Sequence, residues 1–332
     1  MSVARPPLWA ITGGSGFLGL HLSQRLLLEG HAVRSLDLEP VELPEVEEIV
    51  GDVRDPAAAG LLCGGAEVLV HAAAALPIRG SRRTIWSVNV EGTATVLAAA
   101  AEAGVRRVVF ISSAAVLPQP IEAYGAAKAA AELVCGDFAA RGLGVTILRP
   151  QAFIGPKRLG VFGILFRWIA EGRRIYTIGP GSNRYQLLDV EDLVEAIVLA
   201  AAQPVAGEAF TLGAKRLATV AEDLQALIDH AGSRSTLTPL PAGPARALLR
   251  GLHLAGLSPL GEWHYRTADR DCFVDITAAE RDLGWSPRFS NREALARAYD
   301  SYGAGRRAEL RAGRTHRTPW NEKALALLRR LS

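Results

Sequence analysis

The sequence predicts an α/β protein: a doubly wound, parallel, Rossmann-like sheet with a smaller C-terminal substrate lobe. Three observations carry this expectation. Short apolar runs of strand length alternate with longer helix-period segments through the first 150 residues. The first run, Leu8 to Ile11, passes through a glycine turn into the apolar-periodic segment Phe17 to Leu28. The second strand, Ala32 to Asp37, ends on an acid 24 residues beyond Gly13.

The turn Thr12-Gly-Gly-Ser-Gly-Phe-Leu-Gly19 has the composition of a phosphate cradle. Strand, tight turn and helix N-terminus in that order aim backbone N–H groups and the positive helix end at a dinucleotide pyrophosphate. Gly13 permits the turn, Gly16 lets backbone approach the phosphates, and Gly19 lets the helix close on the sheet. Ser15, Phe17 and Leu18 complete the contact set. Asp37 is placed to accept hydrogen bonds from the adenosine ribose and to repel a 2′-phosphate. Arg34 lies inside the strand and Leu38 and Glu39 follow the acid, so the expected cofactor is NAD.

The third strand (Glu47 to Val50) leads into Gly51-Asp-Val-Arg-Asp55, and the fourth (Glu67 to His71) into Ala72-Ala-Ala74. A long Ala-rich helix ends near Gly104, and a fifth strand (Arg107 to Ser112) follows. Ligands of such sheets bind at the carboxyl ends of the strands, where Asp52, Ala72, Ser112 and Ser113 fall. A short Pro-containing loop, Leu117 to Ile121, then leads to Tyr124-Gly-Ala-Ala-Lys128 at the start of a helix. Tyr and Lys at i and i+4 share a helix face. A phenol of ordinary pKa about 10 becomes a usable acid or base when an ammonium and a cationic nicotinamide stabilise its phenolate. Tyr124 is therefore the candidate acid/base, Lys128 its electrostatic support and Ser113 the substrate-oxygen ligand.

Whole-chain numbers narrow the classes. The net charge of +3 over 332 residues hides an asymmetry: residues 303–332 hold eight Lys or Arg against two Glu, or +6, leaving −3 before them. That tail contains no aromatic but Trp320, so nucleic acid is not expected as a partner. Three scattered cysteines (Cys63, Cys135, Cys272) fit a reducing cytoplasm, and seven histidines show no ligand spacing, so no metal is expected. No apolar run approaches the roughly 20 residues of a spanning helix. The expected layout is a cofactor-binding catalytic domain over 1–150, a substrate lobe over 151–302 with segments returning to the sheet, and a basic amphipathic tail over 303–332.

Taken together, Thr12-Gly-Gly-Ser-Gly-Phe-Leu-Gly19, Gly51-Asp-Val-Arg-Asp55, Asn89-Val-Glu-Gly-Thr93, Ser112-Ser113, Tyr124-x-x-x-Lys128 and Leu148-Arg-Pro150 with Gly155-Pro156 resemble the extended short-chain dehydrogenase/reductase family. Leu188-Asp-Val-Glu-Asp-Leu193 and Asp275 to Pro287 are similar to its C-terminal segments. The resemblance implies that Asp52 contacts the adenine, with Val53 beside it. It implies that Ala72, Ala73, Ala74 and Pro150 line the cofactor, that Lys128 also holds the nicotinamide ribose, and that Asn89 buttresses the central helices. It further implies a homodimer through the helices Arg82 to Ala103 and Tyr124 to Ala140.

Branches of this family differ after the catalytic Ser. Dehydratases and decarboxylases place proton-transferring acids there, whereas Ala114 and Ala115 transfer none. Plain oxidoreduction and epimerisation remain. For a nucleotide-sugar 4-epimerase with retained NAD, Ala152 replaces the usual Asn, and Arg184 and Arg266 are candidates for a second pyrophosphate, one residue out of register. A 3β-hydroxysteroid dehydrogenase-like enzyme fits the eleven-residue Ser113 to Tyr124 interval and the apolar stretch Leu237 to Leu260, expected at the substrate pocket. A final helix with Thr318 as cap and Pro319 in its first turn carries Trp320, Leu325, Leu328 and Leu331 beside Arg329 and Arg330, the composition of a peripheral membrane contact. The remaining alternative is a non-catalytic dinucleotide-binding subunit, against which both Tyr124 and Lys128 stand.

Overall fold

The structure, a computed structural model, describes residues 6–76, 81–117, 123–203, 207–258, 260, 262–305, 324, 325 and 329. Strands and helices alternate from the start: β1 (Leu8–Thr12), α1 (Phe17–Leu28), β2 (Ala32–Asp37), β3 (Glu47–Val50), α2 (Pro56–Cys63), β4 (Val68–His71), α3 (Arg82–Trp86), α4 (Gly92–Glu102), β5 (Arg107–Ile111), α5 (Ala123–Ala140) and β6 (Val145–Pro150). The chain continues through β7 (Ala152–Ile154), α6 (Val161–Ala170), β8 (Ile175–Ile178), β9 (Leu187–Asp189), α7 (Val190–Ala202) and β10 (Ala209–Leu212). It ends with α8 (Val220–His230), β11 (Leu237–Leu240), α9 (Ala242–Leu254), α10 (Glu262–Thr267), α11 (Thr277–Asp282) and α12 (Asn291–Gly305).

Two compact units result. The first combines residues 1–151, 190–212 and 275–286, and the second combines 152–189, 213–274 and 287–332. In the first, seven parallel strands stand in the order β10-β6-β5-β4-β1-β2-β3. The order reverses at β1, where β2 lies on one side and β4 on the other, which is the crevice where ligands of doubly wound sheets bind. The central strands are buried on both faces, as their continuous apolar runs Ala10-Ile11, Val68-Leu69-Val70 and Val108-Val109-Phe110 require. A shared core joins these strands to α2, α4 and α5 through Leu62, Cys63, Leu97, Ala131 and Cys135.

The expected helix over 82–103 is broken by one wide turn, Ser87–Glu91, with π-type hydrogen bonding. Such turns recur at functional sites because they re-aim a side chain, here Asn89. The seventh strand arrives from residues 209–212 and pairs with β6.

In the second unit, β8 pairs with β11 and β7 with β9, both parallel. Its core is aromatic and aliphatic, with Phe166, Trp168, Ile169 and Leu295 buried. Apart from Leu117, the expected loop Leu117 to Ile121 lies outside the described residues, as does the final helix from Thr318 apart from Ala324, Leu325 and Arg329. No described helix is long and apolar enough to cross a membrane.

Candidate active site

The glycine turn is held together by backbone contact. Gly13 has φ +78°, and a Cβ there would stand 2.9 Å from the Ala73 nitrogen, so β1 and the loop after β4 touch through bare backbone. A Cβ on Gly19 would stand 2.3 Å from the Gly13 oxygen, which closes α1 on the turn itself. Gly14 is equally constrained: its Cβ would fall 1.8 Å from Ser35 Oγ. The N-cap of α1 is Gly16, and no side chain caps the first turn. A helix start without a side-chain cap suits an anion, as a pyrophosphate cradle requires.

Asp37 closes the far side of the turn. Its Oδ2 accepts from the Ser15 N–H at 3.0 Å and its Oδ1 from the Leu38 N–H at 2.7 Å. Arg34 is engaged elsewhere, donating to the Leu61, Leu62 and Gly64 carbonyls at the end of α2 and pairing with Glu47. Asp52 accepts from the Arg54 N–H and guanidinium, which hold its carboxyl below the usual range, and Arg54 reaches Ser87 Oγ at 3.0 Å. The loop bearing Asp52 and Val53 is thereby braced against the wide turn. These residues suit NAD: a glycine cradle that any Cβ would fill, an uncapped helix end and a carboxylate at the end of β2.

The loop after β4 is pinned by a buried polar chain. The Ala72 and Ala73 N–H groups donate to Thr12 Oγ1, each at 3.1 Å. Thr93 Oγ1 donates to the Asn89 carbonyl at 2.7 Å, so its contact with His71 Nε2 at 3.0 Å requires the nitrogen to donate. His71 Nδ1 then accepts from Thr12 Oγ1 at 2.7 Å. Burial holds His71 neutral, pushing it down to about 3, with Lys128 adding to the effect. Asn89, expected to buttress the central helices, is buried in the wide turn between α3 and α4. Its amide faces the loop, accepting from the Ala75 N–H at 2.7 Å and donating to the Ala75 carbonyl at 3.0 Å.

The catalytic candidates converge at the end of β5. Three consecutive residues there are each bound from α5. Lys128 Nζ donates to the Ile111 carbonyl at 2.7 Å, Ser112 Oγ donates to Glu132, and Ser113 hydrogen-bonds the Tyr124 hydroxyl. Tyr124, Lys128 and Glu132 are spaced i, i+4, i+8 and share the face turned to the strand. Glu132 also accepts from Arg149 Nε at 2.9 Å and Nη2 at 2.5 Å, which ties β6 into the same knot. Burial raises the Tyr124 phenol to about 12, opposed by the Ser113 hydrogen bond. Burial lowers Lys128 to about 8, opposed by Cys135 and Glu132. After Ser113, Ala114 and Ala115 begin a short 3-10 turn.

Residues 9–213 match the profile of the NAD dependent epimerase/dehydratase family. The chain belongs to this family. It is an NAD-dependent enzyme of the extended short-chain dehydrogenase/reductase type. Among its relatives, the uncharacterized protein y4nG of Sinorhizobium fredii is 35% identical, covering 96% of this chain and 84% of that protein. A 3 beta-hydroxysteroid dehydrogenase/Delta 5-->4-isomerase of Mycobacterium tuberculosis is 28% identical over 88% of this chain and 89% of its own length. Among solved structures, MoeE5 in complex with UDP-glucuronic acid and NAD superposes with a TM-score of 0.75 at 25% identity, covering 90% of this chain and 99% of that one.

Sequence reading of this family member passed over Gly14, Thr12, Thr93, Glu132 and Arg149 as parts of the site. Glu132 carried a signal, since it continues the i, i+4 series of Tyr124 and Lys128 by one turn. Arg184 and Arg266, candidates for a second pyrophosphate, are each held by an acid. Arg184 takes Asp271 through its backbone N–H at 2.8 Å and stacks on Phe273, and Arg266 pairs with Glu262 at 3.0 Å.

Proposed function

We propose that this protein is a dehydrogenase acting at one secondary alcohol or ketone carbon of a bulky, largely apolar substrate, of the 3β-hydroxysteroid dehydrogenase kind. The carrying observation is the state of Arg184 and Arg266. Each is half-exposed and faces an acid of this chain, Arg184 with Asp271 at 3.5 Å and Arg266 with Glu262 at 3.0 Å, so a second pyrophosphate would have to displace a carboxylate at both. Ala114 and Ala115 after Ser113 add support, because neither offers a proton for elimination. Several relatives bear sterol dehydrogenase names, including a sterol-4-alpha-carboxylate 3-dehydrogenase of Homo sapiens at 29% identity over 58% of this chain.

In this reading Ser113 holds the substrate oxygen and the Tyr124 hydroxyl exchanges a proton with it. Lys128, buried beneath, favours the phenolate electrostatically. NAD supplies the hydride acceptor or donor. Gly13, Ser15, Gly16, Phe17, Leu18 and Gly19 hold its pyrophosphate, Asp37 its adenosine ribose, and Asp52 and Val53 the adenine. Ala72, Ala73, Ala74, Asn89, Lys128 and Pro150 shape the nicotinamide side. We also assign a homodimer through α3, α4 and α5, supported by outward-facing Trp86 and Leu133, 47% and 74% exposed.

The test measures NAD retained per chain after purification, then oxidation of a 3β-hydroxysteroid and conversion of UDP-glucose. An empty protein that takes up NAD and oxidises the steroid supports the reading. Tightly retained NAD with UDP-glucose epimerisation overturns it in favour of a 4-epimerase. Tyr124→Phe is expected to keep NAD uptake and to lower steroid turnover about 1,000-fold or more. Unchanged turnover would remove Tyr124 from the mechanism.

A further inference from the structure

In the second unit, α9 has two unlike faces. Ala245 is buried, and Leu249 and Leu252 are half-buried toward the unit's own body. The opposite arc is formed by Gly243, Pro244, Ala247, Leu248, Gly251, Leu254 and Ala255, all exposed. At 100° per residue these seven positions sweep an uninterrupted sector, and none carries a charge or a hydrogen-bonding side chain. Leu248 is 65% exposed and Leu254 77%, and Leu257 just beyond the helix is 52% exposed. Just past the helix, the Leu257 carbonyl accepts from the Ala324 N–H at 3.1 Å, so the C-terminal segment reaches the rim of this face. A surface helix of a water-soluble face places polar groups there; this one places them only at its border.

One border is cationic: exposed Arg250 lies next to the sector, and residues 242–260 contain no Asp or Glu. The acids of the following segment are already paired, Asp269 with Arg246 at 2.9 Å and Glu262 with Arg266 at 3.0 Å. The shape discriminates between occupants. Thirteen residues give an apolar strip about 18 Å long and about 10 Å wide, roughly 200 Å². A stable protein partner needs about 800 Å² per side. A bilayer needs no matching surface: exposed leucines enter the acyl boundary, small residues let the helix lie close, and the border arginine meets anionic headgroups.

We propose that the outer face of α9, centred on Leu248 and Leu254, docks the protein on an anionic lipid surface. This stands apart from the substrate assignment, and its test uses neither turnover nor substrate. The full-length protein is floated with vesicles of phosphatidylcholine containing a third phosphatidylglycerol, and separately with pure phosphatidylcholine. The expected result is flotation on the mixed vesicles that weakens with added salt. The L248S/L254S double variant should lose at least about fivefold of the bound fraction. R250Q should lose binding on the mixed vesicles and match wild type on the neutral ones. L28S, which alters another highly exposed leucine at 86%, should float as wild type does. NAD uptake and the thermal midpoint of each variant report that the fold is intact. Wild-type protein that stays with the soluble fraction overturns the proposal, as does flotation unmoved by L248S/L254S. Sedimentation showing that L248S/L254S splits a lipid-free dimer also overturns it, since the face then belongs to a second copy.

Discussion

The cradle and the catalytic face lie in the same sheet yet are built by opposite means. At the cradle, β1, α1 and the loop after β4 meet through backbone, at separations that admit no Cβ on Gly13 or Gly19. At the catalytic face, α5 is fastened to β5 and β6 by side chains: Tyr124, Lys128 and Glu132 reaching Ser113, Ile111 and Ser112, with Arg149 locking the last. Absence of side chains fixes one region and convergence of side chains fixes the other. Replacement should therefore act differently in each, by overcrowding at the cradle and by orphaned polar groups at the catalytic face.

The largest effect is expected at the cradle. Gly19→Ala sets a methyl against the Gly13 carbonyl, where only backbone could yield. NAD affinity should fall at least 100-fold and stability by about 3 kcal/mol, measured by calorimetric titration and urea unfolding. Normal NAD binding in this variant would break the contrast.

Next in size is the knot on α5. Glu132→Leu orphans Arg149 and Ser112 and should cost about 2–4 kcal/mol. Adding Arg149→Met should recover part of that loss, because both charges then leave together. Strict additivity in the double variant would show that the pair is not coupled.

The third effect is a slope with pH rather than a single loss. His71 titrates at about 3 in the fold against 6.5 when free, so between those values the unfolded chain binds more protons. Stability is complete above pH 6.5 and falls as pH drops through that window, by at most about 1.4 kcal/mol per unit. His71→Gln should flatten this slope, as followed by denaturant midpoints from pH 4 to pH 7. An unchanged slope would place the acid sensitivity on other groups.

The same contrast explains what the sequence disclosed. The cradle was legible because only glycine satisfies a close backbone approach, and the spacing of Gly13, Gly16 and Gly19 states the geometry. That the sheet is parallel and doubly wound followed from the alternation of elements. Glu132 with Arg149 was not legible, because their meeting depends on β5 and β6 being neighbours under α5, which no local pattern encodes. Asn89 was visible as a motif residue, but its target, Ala75, depended on the wide turn at Ser87–Glu91. Sequence periodicity at 3.6 does not announce such a turn.

The late arrival of β10 has a consequence for synthesis on the ribosome. When Pro150 has emerged, six strands of the sheet exist and β6 is its open edge, since its outer partner spans residues 209–212. At about 5–20 residues per second, some 60 intervening residues keep that edge unpaired for roughly 3–12 s. Trp285, fully buried and donating to the Asp192 carbonyl at 2.8 Å, arrives later still. Nascent chains of this protein therefore pass through an interval in which a sticky, incomplete sheet is exposed, and that interval is where chaperones or crowding would act on its yield.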